Sequence, residues 1–62
     1  MVEALQLPVP LEHQIACVAR ELAIRERCYP RWVEASRMTR RDADRELAQM
    51  RAVLATLKGL EG

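Results

Sequence analysis

The chain has 62 residues, half of them apolar, with a formal net charge of +1 and a pI near 7.8. That length holds one domain at most, and near-neutrality excludes a nucleic-acid polycation. A chain this short hides a small fraction of its surface, so a disulfide, a metal or a second copy must supplement an ordinary core.

The first segment, Met1 to Pro10, carries Leu5, Leu7 and Val9 together with Pro8 and Pro10. Prolines two apart favour an extended arm over a helix. Such an arm is apolar enough to lie against something, and it reads equally as a frayed terminus. It lacks the basic start and apolar block of a signal peptide, and no apolar run along the chain reaches the roughly 18 to 20 residues that cross a bilayer. The expectation is a soluble cytoplasmic protein with reduced thiols.

From Leu11 the pattern turns helical. Leu11, Ile15, Val18, Leu22, Tyr29 and Val33 recur at spacings of four, three, four, seven and four. At 100° per residue they share one seam. Arg25 stands at the seam's edge where an apolar residue is expected, with Glu21 four residues earlier in the favourable order for an ion pair. Pro30 removes a backbone donor and disfavours helical angles at Tyr29, yet Tyr29 and Val33 stay in phase with Leu22 across it. The preferred reading is one helix over about 11–35, kinked at Pro30, in place of two separate segments.

Residues 36–39 make a connection of suitable length between antiparallel helices. Thr39 followed by Asp42 has the spacing of a capping box, which starts a second helix at Arg40. Its seam is Ala43, Leu47, Met50, Leu54 and Leu57, and it fades near Gly59, giving a helix over about 40–58. The fold class is therefore all-α: an antiparallel two-helix hairpin. Cys17, Ile24 and Cys28 form a second apolar strip on the first helix, and Val53 and Leu60 widen the stripe of the second. One partner helix cannot cover all of this. The five residues are the expected oligomer interface of a homodimeric four-helix bundle.

Chemistry is sparse. His13 is the only histidine, no Cys-x-x-Cys pair exists, and Cys17 and Cys28 on one helix lie roughly 16 Å apart, so metal, cofactor and intrachain disulfide are all unexpected. No nucleophile–base pair or paired catalytic carboxylates stand out, which reads as a non-enzyme. Nine of the ten basic residues are arginine, and seven of these fall between Arg25 and Arg45 against four acids. Arg40 and Arg41 sit against the positive end of a helix dipole, a placement that suits an anion or a partner's carboxylate. Arginines solvated beside Asp42, Asp44 and Glu46 explain the same residues without function. Tyr29 and Trp32, the only aromatic residues, suit either a core or a contact surface, with Tyr29 in phase with the seam and Trp32 off its centre. Arg31, Trp32, Arg37, Arg40 and Arg41 are the candidate partner- or anion-binding set.

The stretch from Ala19 to Val33, which contains Tyr29-Pro30-Arg31-Trp32-Val33, then Ser36-Arg37-Met38-Thr39, Ala43-Asp44, Glu46 and Met50, resembles a group of very short phage and prophage proteins of unassigned role. Their pattern runs arginine-glutamate, tyrosine-proline-arginine-tryptophan-valine, glycine-arginine-methionine, then alanine-aspartate and a late methionine. Ser36 stands where that pattern has glycine. The resemblance implies a phage accessory protein in the host cytoplasm and supplies no catalytic residues. Three functions fit these features: a homo-oligomer that binds and inhibits or redirects a host macromolecule, a sponge for a phosphate-bearing small molecule such as a cyclic nucleotide, and a weak nucleic-acid binder.

Overall fold

A computed structural model describes residues 7–61; the expected arm over Met1 to Gln6 lies outside the described residues. Two helices are present, α1 (Leu11–Glu34, 24 residues) and α2 (Arg40–Gly59, 20 residues), packed along each other as an antiparallel hairpin. The apolar seams predicted from spacing are the surfaces that meet. Leu22, Tyr29 and Ala43 are buried, and Leu11, Ile15, Val18, Val33, Leu47, Met50, Leu54 and Leu57 are half-buried around them.

No described side chain is fully buried. The cause is geometric: each rod has a single neighbour, so only the centre line of each stripe is covered. Arg51 Nη2 donates to Glu26 Oε2 at 2.9 Å, bridging the helices along one edge. Both side chains are about half exposed, so the bridge contributes at most about 1 kcal/mol. Its main consequence is register, since it places residue 26 level with residue 51.

α1 runs through Pro30 without interruption. Lacking an N–H, Pro30 leaves the Glu26 carbonyl without its usual donor four residues on. Pro30 is exposed, so that carbonyl is on the wet side, where water can serve it. Continuity is what keeps Tyr29 and Val33 on the seam.

Between the helices, α1 closes with a Schellman motif. The Ser36 amide donates to Val33 O at 3.1 Å and the Arg37 amide to Trp32 O at 2.8 Å, while Ser36 adopts φ 61°. These are the two bonds that satisfy the last free carbonyls when the residue after the cap turns left-handed. At the other end, Pro10 O accepts from the amides of His13 (3.0 Å) and Gln14 (3.1 Å), and Gln14 Nε2 donates to Val9 O at 2.8 Å. Residues 7–10 have no regular structure and are exposed, and the Gln14 side chain ties their last turn to α1.

Candidate functional site

The elbow is built by the two helix ends that meet there. Thr39 Oγ1 accepts the Asp42 amide at 3.0 Å, which is the hydroxyl half of the expected capping box. The carboxylate half differs from expectation: Asp42 Oδ1 accepts from Arg45 Nη1 at 2.9 Å, one turn onward. A neighbouring guanidinium offers that carboxylate a charged donor, which is a stronger bond than a neutral amide gives.

Around this turn the predicted contact residues separate into two groups. The Arg37 guanidinium lies 5.9 Å from the centroid of the Trp32 ring, and the Trp32 and Tyr29 rings are 5.5 Å apart and tilted by 35°. Tyr29 is buried, whereas Trp32 is 40% exposed. Trp32 and Arg37 are also the two positions that a Schellman motif normally joins by a hydrophobic contact, so the cation–π stack closes the cap. Arg37 and Arg40 then line a shallow concavity with Val33, Met38, Thr39 and Asp42. Arg31 and Arg41 are exposed and do not line it.

The ion pairs sharpen the picture. Arg25 pairs with Glu21 (3.7 Å), Arg45 with Asp42 and Glu46 (3.7 Å to the latter), and Arg51 with Glu26. Among the described residues, Arg20, Arg27, Arg31, Arg37, Arg40 and Arg41 take no carboxylate partner, and the last four of these lie at the elbow. Of the acids expected to neutralise the elbow, Asp42 and Glu46 are engaged by Arg45.

The predicted interface residues are distributed unevenly. Val53 and Leu60 are 48% and 65% exposed, Cys17 is exposed, and Ile24 and Cys28 are half-buried. Cys17, expected at the oligomer interface, is thus open in the single hairpin, off the seam that α2 covers. Both cysteines are free thiols. An apolar groove runs between α1 and α2 toward the open end, lined by Val9, His13, Cys17, Val18, Val53 and Leu57 among others, while Leu60 lines a neighbouring concavity with Leu7, Pro10 and Leu11. Sequence reasoning missed Val9 and His13 as groove residues and Arg51 as the interhelix bridge.

Among the described residues no cluster of three or more histidine, cysteine or acidic side chains could hold a metal, and no helix is long and apolar enough to cross a membrane. Set against protein-family models, curated proteins and solved structures, the chain matches none.

Proposed function

We propose that this chain is a non-enzymatic accessory protein of phage type, a self-associating hairpin whose basic elbow binds a host macromolecule and so inhibits or redirects it. The observation that carries this reading is that the elbow arginines Arg31, Arg37, Arg40 and Arg41 take no carboxylate partner, with Arg37 stacked on the part-exposed Trp32. Guanidinium groups and an amphipathic ring held by a capped turn are the residue types that anchor protein interfaces, and the matching surface on the partner is acidic. Arg37 and Arg40 line a shallow concavity with Asp42, whose carboxylate is paired with Arg45, so neither guanidinium has a carboxylate of its own there.

The test is capture from host lysate with the intact protein and with an Arg37→Ala, Arg40→Ala, Arg41→Ala triple variant, followed by binding measurements on the purified partner. Loss of three charge-assisted contacts at about 1.5 kcal/mol each weakens binding by at least 100-fold, and raising the salt weakens the intact complex in the same direction. Equal affinity of the two proteins for the captured partner would rule out the elbow as the contact surface. The three positions are exposed, so circular dichroism of the variant should match that of the parent.

A further inference from the structure

The surplus apolar strips of the two helices fall on one side of the hairpin. Around α1, Cys17, Ile24 and Cys28 lie roughly 120–160° from Leu22, in the rotational sense of Trp32; around α2, Val53 and Leu60 lie roughly 120–140° from Leu47 in the same sense. In antiparallel helices, offsets of the same sense come to the same side. Two observations agree with this. Cys17 and Val53 line one groove, whereas Glu26 and Arg51, each offset about 40° the other way, meet across the opposite edge.

Along α1 the strip with its polar ends is Gln14, Cys17, Glu21, Ile24, Cys28 and Arg31, spaced three, four, three, four and three. The series reads identically in both directions about the point between Leu22 and Ala23. That point is also the midpoint of Leu11–Glu34. A sequence seam with this symmetry meets a copy of itself in full register when the two helices run antiparallel.

We infer that a second copy of this chain covers this face, turned end for end, so that α1 packs on α1 of the other copy about the point between Leu22 and Ala23. The inference rests on the self-association proposed above and specifies its geometry. Cys17 then lies beside Cys28 of the second copy, and Glu21 opposite its Ile24 with Arg25 one residue further along, twice each by symmetry. The exchange is cheap, because Glu21 and Arg25 pair only loosely within one helix, at 3.7 Å and about 46% and 35% exposed. Taking residues 26 and 51 as one level, the twofold axis passes within a turn of Val53 along α2.

Charge and area favour the same arrangement. The elbow, residues 31–45, holds five arginines against Glu34, Asp42 and Asp44, a net of +2 (5 − 3). End-for-end packing keeps the two elbows on the order of 36 Å apart, the length of α1, where an elbow-to-elbow dimer would press them together. A face of two helices, about 36 Å long and about 20 Å wide, offers on the order of 700 Å², close to the roughly 800 Å² each partner gives to a standard interface.

Thiol cross-linking decides the geometry. The intact protein, Cys17→Ser, Cys28→Ser and an equimolar mixture of the two variants are treated with a mild oxidant and with a short bis-maleimide, with sedimentation and circular dichroism run alongside. Covalent dimer is expected from the intact protein and from the mixture, with Cys17–Cys28 as the linked peptide pair, and none from either variant alone. Cross-linking of each variant by itself would establish a same-direction dimer and overturn the inference, as would a stable dimer in which nothing links. A folded monomer at every concentration would remove the self-association reading as well.

Discussion

Ser36 is the residue under most local strain. Its φ of 61° lies in the left-handed region, where a Cβ crowds the following carbonyl at a cost of roughly 1 kcal/mol or more. It occupies that region because the two Schellman bonds, from the Ser36 and Arg37 amides, and the Arg37–Trp32 stack hold the turn in place. Glycine there would keep the bonds without the crowding. Ser36→Gly should therefore raise stability by about 0.5–1 kcal/mol in chemical denaturation, net of the extra entropy glycine has when unfolded. An unchanged or lower midpoint would mean that the left-handed turn does not persist in solution. Spacing alone could not find it, because the demand for positive φ arises from the cap geometry and leaves no periodic signature.

Pro30 poses the corresponding question for α1. Propensity argues for a break at this position, at a cost near 3 kcal/mol for an interior proline, while the phase of Tyr29 and Val33 argues for continuity. The helix is continuous, so tertiary burial of Tyr29 overrides the local preference. An alanine at this exposed position would restore the donor to Glu26 O and should stabilise the hairpin by about 1–3 kcal/mol, read as a higher denaturation midpoint with increased helical signal. A loss of stability would show that the packing depends on what proline does to the helix. Most of both helices was legible for the same reason: the two seams are strongly periodic, and the Thr39 cap leaves a local signature. The Glu26–Arg51 bridge was legible in principle too. Each residue sits just off its seam in the same rotational sense, but only a register for the hairpin says that they face each other. The fate of the Asp42 carboxylate was not legible, because a capping box and an (i, i+3) pair with Arg45 share the same residue types.

The hairpin as a whole is two rods with a covered centre line and wet flanks. Leu22, Tyr29 and Ala43 are its only buried residues among those described, and fully burying one further aliphatic side chain is worth about 1.5–3 kcal/mol. Covering the face that carries Cys17, Ile24, Cys28 and Val53 is therefore comparable to the whole stability of a small domain. That excess was visible in composition and spacing, whereas the convergence of both strips on one side required the antiparallel pairing of the two seams. On the proposed reading, self-association lies along the flank and macromolecular contact at the elbow. The most direct test of this account is sedimentation equilibrium of the intact protein beside Val53→Glu, a substitution at a site 48% exposed in the single hairpin. The intact protein should sediment at twice its 7.1 kDa, with the variant shifted at least tenfold toward the single-copy mass. A folded intact protein at 7.1 kDa across the concentration range would contradict the claim that the hairpin carries more apolar surface than it can cover alone.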